Sequence, residues 1–267
     1  METKKMNTTK KTVTQKRVDA QKLLEAARMG DAEAQFRLGW CYLTGDGVVK
    51  NDSEAAKWFR KAAELGNANA QYNLSACYHY GVGVRKNKVA MIMWCRKSAE
   101  QGDASAQCNL GSCYFHGYGV RKNMGEAAMW YRMAAEQGDP TAQFNMGACY
   151  EYGNGVKIDM SAAVMWYRKA AEQGDVAAQC NLGICYDKGT GVEKNMDEAV
   201  KWYRKAANQG DAAAQYNLGW CYLTGDGTRK NKAMAIKLFR KAAEQGHAKA
   251  EQMLDKLSAT ATKGDHP

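Results

Sequence analysis

The stretch GDAEAQFRLGWCYLTGDGVVKNDSEAAKWFRKAAEL at residues 30–65 returns almost intact as GDAAAQYNLGWCYLTGDGTRKNKAMAIKLFRKAAEQ at 210–245. Between them the same frame repeats without insertion. Gly30-Asp31 recurs as Gly66-Asn67, Gly102-Asp103, Gly138-Asp139, Gly174-Asp175 and Gly210-Asp211, with a degenerate Gly246-His247, and every step is 36 residues. Self-similarity at a fixed period of roughly 20–50 residues marks an array of stacked supersecondary units.

Inside one unit the signals predict two helices. Asp31 can cap the first, because its carboxylate accepts free N–H groups of the first turn. Pro140 falls at the first helical position of the fourth unit, where its missing N–H is harmless. Ala34, Leu38, Cys41 and Tyr42 follow at spacings of four and three, an amphipathic helical stripe. Gly45 and Gly47 end it, and both glycines hold in all six units. The second helix is expected from about Ser53 to Glu64, with Ala55, Trp58, Phe59, Ala62 and Ala63 inward, and the next glycine stops it. One unit cannot bury both helices, so neighbours must stack.

The expected fold is therefore all-α, an α-solenoid of six 36-residue helix-loop-helix repeats at 30–65, 66–101, 102–137, 138–173, 174–209 and 210–245. Residues 18–29 (VDAQKLLEAARM) match a second helix and are expected to cap the N-terminal end. Residues 246–257 resemble a first helix and should cap the other. Residues 1–17 are expected to be a disordered basic tail and 258–267 a flexible one.

These residues are similar to the Sel1-like repeat family, a relative of the tetratricopeptide repeat. The family pattern stands in the fifth unit as Gly174, Asp175, Ala178, Gln179, Leu182, Gly183, Tyr186, Gly189, Gly191, Val192, Ala199, Trp202, Tyr203, Lys205, Ala206 and Ala207. A plain tetratricopeptide array would have a period of about 34 residues, without the G-x-G-V loop. Departures are local: Cys95 replaces the aromatic of unit two, Leu238 the Trp of unit six and Ile158 the loop lysine of unit four. The resemblance implies a superhelical solenoid whose first helices line a concave surface. It also implies adaptor work in assembling protein complexes, with no single ligand shared across the family.

Composition narrows the function classes. The formal net charge is +10, and half of it comes from the first 17 residues, which hold six bases and one acid. The remaining excess is mild and does not demand nucleic acid. The N-terminal stretch lacks the apolar core of about 7–15 residues that a signal peptide needs. Nowhere do roughly 20 apolar residues run together, so no membrane insertion is expected.

The nine cysteines fall into register. Cys41, Cys77, Cys113, Cys149, Cys185 and Cys221 form one column before the helix tyrosine; Cys108, Cys180 and Cys95 replace core aromatics. Stacked helices lie about 8–10 Å apart, too far for column neighbours to bridge. Some secreted members of the family resemble disulfide ladders, but their paired spacing is absent here. The cysteines are expected to be reduced core residues in a reducing compartment. The Trp column (Trp58, Trp94, Trp130, Trp166, Trp202) is expected in the core. The Arg column from Arg60 to Arg240 should serve packing between repeats, as should the Gln and Asn columns.

No constellation carries chemistry: there is no Cys–His cluster for zinc, no nucleophile motif and no phosphate loop. Neither catalytic residues, metal nor cofactor are expected. The S-x-x-K of β-lactam-acting enzymes is missing. Function should lie where units differ. The two positions after the helix tyrosine vary most, as does the position between the loop glycines. They single out His79, Tyr80, Phe115, His116, Tyr118, Glu151 and Tyr152, to which Trp40 and Trp220, one position before the column cysteine of units one and six, are added as candidate partner-binding residues. The expectation is a cytoplasmic, non-catalytic scaffold binding a protein or peptide on the concave face and loop edge. The alternative is an RNA-binding repeat protein using Arg85-Lys86 and Arg121-Lys122. A hydrolase of the β-lactamase-linked type ranks last.

Overall fold

A computed structural model describes residues 13–263, in which fourteen α-helices form and no strand occurs among the described residues. The chain divides into two compact units, residues 1–123 and 124–267. The first contains α1 (Val13–Arg28), α2 (Ala32–Thr44), α3 (Asp52–Glu64), α4 (Ala68–Tyr80), α5 (Lys88–Glu100) and α6 (Ala104–His116). The second contains α7 (Met124–Glu136), α8 (Pro140–Tyr152), α9 (Met160–Glu172), α10 (Val176–Lys188), α11 (Met196–Asn208), α12 (Ala212–Thr224), α13 (Lys232–Ala243) and α14 (Ala248–Lys263). Within each unit every helix packs on the next in the chain.

The boundaries follow the capping chemistry. Ala34 N–H donates to Asp31 Oδ1 at 2.8 Å, and Asp139, Asp175 and Asp211 cap α8, α10 and α12 in the same way. Asn51, Asn87, Asn195 and Asn231 do this for second helices, so α3 begins at Asp52, one residue before its expected start. Each first helix with a described cap ends on a left-handed glycine whose N–H donates back to the column cysteine's carbonyl, as Gly81 does to Cys77.

Both expected tails are partly helical. Helix α1 starts at Val13, five residues early: the carbonyl of Lys16 lies against Gly47, and Lys16 Nζ pairs with Asp46 at 2.8 Å. The first turn of α1 thus rests on the first repeat's loop. Helix α14 continues to Lys263, because no glycine or proline interrupts 258–263. The remaining tail residues, 1–12 and 264–267, lie outside the described residues.

Ladders between repeats do much of the ordering. Arg60, Arg96, Arg168 and Arg204 each donate to the hydroxyl of the tyrosine 18 residues on, at 2.5–3.1 Å. The buried glutamines donate to a helix-end carbonyl, Gln71 to Ala63 and Gln179 to Ala171. Their Oε1 atoms accept from a glutamine 30 residues later: Gln101 to Gln71, Gln173 to Gln143, Gln209 to Gln179 and Gln245 to Gln215, at 2.7–2.9 Å. At the start of the array the equivalent donor position holds Leu65, and Gln35 Oε1 is buried without a partner. A buried orphan acceptor carries a desolvation penalty that one hydrogen bond removes. Leu65→Gln is therefore expected to stabilise the chain by about 1 kcal/mol, since Leu65 is itself exposed. A urea midpoint that fails to rise would contradict this.

Candidate partner-binding groove

The repeat frame places one aromatic ring of the second helix against a glycine of the first. A Cβ on Gly39 would stand 2.6 Å from the Phe59 ring, on Gly147 2.5 Å from Tyr167, on Gly183 2.6 Å from Tyr203 and on Gly219 2.8 Å from Phe239. The ring is also neighboured by the aromatic three positions before that glycine: Phe36 lies 6.0 Å from Phe59, Phe144 5.7 Å from Tyr167 and Tyr216 5.6 Å from Phe239.

The residue following the helix tyrosine is matched to that ring. Where the ring is phenyl, a leucine packs in its cluster, Leu43 with Phe59 and Leu223 with Phe239. In repeats four and five, where it is a phenol, an acid accepts its hydroxyl: Tyr167 donates to Glu151 at 2.5 Å and Tyr203 to Asp187 at 3.2 Å; repeat three instead sets Phe115 at that position, with Tyr131 at the ring position. Burial, reinforced by these carboxylates, raises both phenols well above the ordinary tyrosine range. Part of the variation read as functional is thus core pairing, and Glu151 is engaged inside its own repeat.

Repeat two breaks the frame at both members of the pair. Ser75 stands at the glycine position and Cys95 at the ring position. The added hydroxymethyl is smaller than the missing ring; Ser75 and Cys95 are both buried, and over them lies a cavity of about 390 Å³ between α4, α5 and α6. Its α4 wall is Tyr72, Ser75, Ala76, His79 and Tyr80; α5 adds Met91 and Cys95. Opposite stand Asn109, Ser112, Cys113 and His116 of α6, then Tyr118 from the following loop. The volume falls in the range of pockets that take small ligands or side chains.

Ring contacts orient the mouth. His79 meets Tyr80 edge-on at 4.6 Å and Tyr118 at 5.4 Å, while Lys88 Nζ sits 4.6 Å over the Tyr118 ring. Asn109 Nδ2 donates to the Tyr72 hydroxyl at 3.3 Å. No carboxylate lines the cavity. Burial pushes the Cys95 thiol up to about 12 and raises Cys113 as well, so both are protonated at neutral pH and are weak nucleophiles.

Four sequence-selected residues meet here: His79, Tyr80, His116 and Tyr118. Phe115 packs edge-on against His116 at 5.0 Å but does not line the cavity. Trp40 packs on Phe59 in the same unit and borders a separate cavity with Arg37 and Asp46. Glu151, Tyr152 and Trp220 belong to the second unit, where Tyr152 and Trp220 are exposed. Sequence reasoning passed over Tyr72, Ser75, Met91, Cys95 and Asn109 as site residues. The signal was the departure at Cys95, which gains meaning only beside Ser75.

Other columns are structural. The column tryptophans Trp58, Trp94, Trp130, Trp166 and Trp202 are buried, and a lysine ammonium covers each of Trp58, Trp94, Trp166 and Trp202 at 4.0–4.6 Å. All nine cysteines are free; Cys41 alone is half-buried where a core position was expected. No group of three or more metal-binding side chains occurs among the described residues. No helix among them is long and apolar enough to cross a membrane.

Fold and repeat frame together define a tandem helical-repeat protein. The Sel1 repeat model matches residues 32–67, 68–103, 104–139, 140–175, 176–211 and 212–247, and the chain belongs to the Sel1 repeat family. These repeats start two residues later than the sequence frame drawn from the glycines. Among solved structures, the chain is similar to c5321, a protective antigen of uropathogenic Escherichia coli with an SLR fold: 40% identity, TM-score 0.83, covering 88% of this chain and 50% of that one. It thus spans half the length of that protein. A Sel1 repeat protein from Oxalobacter formigenes matches at 37% identity and TM-score 0.72, covering 85% of this chain and 96% of the other. The Cut9–Hcn1 assembly of the APC/C shares the fold alone, at 17% identity and TM-score 0.56 over 91% of this chain and 46% of that one. No curated protein matches the chain. Proteins built from such repeats generally mediate protein–protein interaction and are typically non-catalytic.

Proposed function

We propose that the chain is a non-catalytic interaction scaffold and that a partner polypeptide seats on its first unit, in the groove between α4, α5 and α6. The observation that carries this reading is the convergence of Tyr72, His79, Tyr80, His116 and Tyr118 on one cavity. Aromatic side chains give large contact area at small entropic cost, which favours them at interface centres. Tyr80 is 68% exposed, so its ring is available to a partner at the cavity mouth. Trp40, Phe115, Tyr152 and Trp220 are secondary contact candidates, Glu151 a weak one given its bond to Tyr167. A reducing compartment such as the cytoplasm suits nine free thiols.

The test is capture of partners by the tagged full chain from its own cells, with and without nuclease, at low and high salt. Specific proteins surviving nuclease and high salt are expected. The variant carrying alanine at His79, Tyr80, His116 and Tyr118 should bind them at least 30-fold more weakly, about 2 kcal/mol for lost interface anchors. Recovery of nucleic acid alone, released as salt rises, would replace this reading with nucleic-acid binding.

A further inference from the structure

The cavity of repeat two has a defined shape because the other repeats show what belongs there. Around Phe59 or Tyr167 the first helix supplies an aromatic, a glycine and, four residues after that glycine, a matching partner for the ring. In repeat two the same register holds Tyr72, Ser75 and His79, and all three line the empty space. The cavity therefore lies over the ring site of the repeat, with the buried Ser75 and Cys95 as its floor.

We propose that this site receives the tyrosine side chain of an acidic partner segment, its ring seating on Ser75 and Cys95, over the position where repeats one, four, five and six hold their own. This deepens the interaction reading above and rests on it. The polar element points to a phenol: leucine accompanies the phenyl ring in repeats one and six and an acid accepts from the phenol in repeats four and five, and His79 at the same position lines the cavity with an imidazole that can accept the entering hydroxyl. His79 is oriented by its edge contacts to Tyr80 and Tyr118. Charge selects the surrounding segment. Lys88 stands over Tyr118, Lys86 runs beside Gly81 at the end of α4, and Lys122 beside Gly117 at the end of α6, while the lining has no carboxylate. A segment with acids flanking the tyrosine complements that rim.

The experiment uses the purified full chain, labelled with ¹⁵N, titrated with p-cresol, toluene and the peptides Ac-EEYEE-NH2 and Ac-EELEE-NH2. Saturable shifts of α4–α6 amides are expected with p-cresol, at affinity about three- to tenfold above toluene, as one added hydrogen bond gives. The tyrosine peptide should bind at least tenfold tighter than the leucine peptide, and less tightly as salt rises. Ser75→Gly combined with Cys95→Tyr restores the repeat frame, and should abolish both p-cresol and peptide binding while raising the thermal midpoint. Should that variant misfold, His79→Leu provides the second arm: it keeps the ring site and should reverse the preference to toluene over p-cresol. Absence of saturable p-cresol binding overturns the ring site itself. Binding of p-cresol without the tyrosine peptide assigns the site to a small phenol and overturns the peptide. A chain that self-associates and is dissociated by p-cresol assigns it to a second copy, which also overturns the proposal. Binding of p-cresol and peptide with no partner captured from cells would instead count against the scaffold reading alone.

Discussion

Gly83→Ala is expected to destabilise the first unit by about 3–5 kcal/mol, whereas Gly81→Ala, two residues earlier, should cost about 1 kcal/mol. Both glycines have positive φ, +80° at Gly81 and +66° at Gly83, so alanine is strained at either. They differ in what a Cβ would meet. At Gly81 it would touch the Lys86 side chain at 3.0 Å, which can swing aside. At Gly83 it would collide with the backbone carbonyl of Asp52, at the start of the preceding repeat's second helix. That contact is between backbones of adjacent repeats and cannot relax by a rotamer change, so the stack must separate locally. The first loop glycine thus ends a helix; the second lets one repeat lie on the last. Urea unfolding followed by tryptophan fluorescence measures both, and equal midpoints for the two variants would refute the distinction.

A second large effect is expected from breaking the match between ring and partner in repeat five. Asp187→Leu should cost about 2 kcal/mol because the nearly fully buried Tyr203 loses its acceptor. Tyr203→Phe should cost about 1–2 kcal/mol, since it leaves the half-buried Asp187 carboxylate without its donor. The double variant recreates the leucine–phenyl pairing of Leu43 with Phe59 and Leu223 with Phe239. It should lie within about 1 kcal/mol of the wild type, giving a coupling of roughly 2 kcal/mol in a double-mutant cycle. Additive losses would show that the two positions vary independently and that the pairing between them is coincidental.

That pairing bears on how much of the site was legible in advance. The two positions after the helix tyrosine are where the repeats differ, and His79 at the first and His116 at the second line the cavity. The same criterion also selected Glu151, which varies because Tyr167 needs an acceptor. Variation within a repeat array mixes two causes, adaptation to a ligand and adaptation to the neighbouring helix. One-dimensional register cannot separate them, because the compensating residue lies 16 positions away on another helix. Ser75 and Cys95 show the same difficulty. Each alone reads as a tolerable core substitution. Only when the helices pack does it matter that the hydroxyl gained at Ser75 does not replace the ring lost at Cys95.

The sequence by itself determined the repeat length, the two helices of each repeat, their caps, the inward placement of the tryptophan column from Trp58 to Trp202 and the family. These follow from local rules: caps are chosen by hydrogen bonds within three residues, and stripes by a period of 3.6. The extent of the end helices, the glutamine ladder with its gap at Leu65, the backbone contact at Gly83 and the open ring site of repeat two were decided by tertiary structure. Each depends on which atoms from distant parts of the chain come within contact distance. That is a property of packed volume and paired polar groups, which no single segment carries.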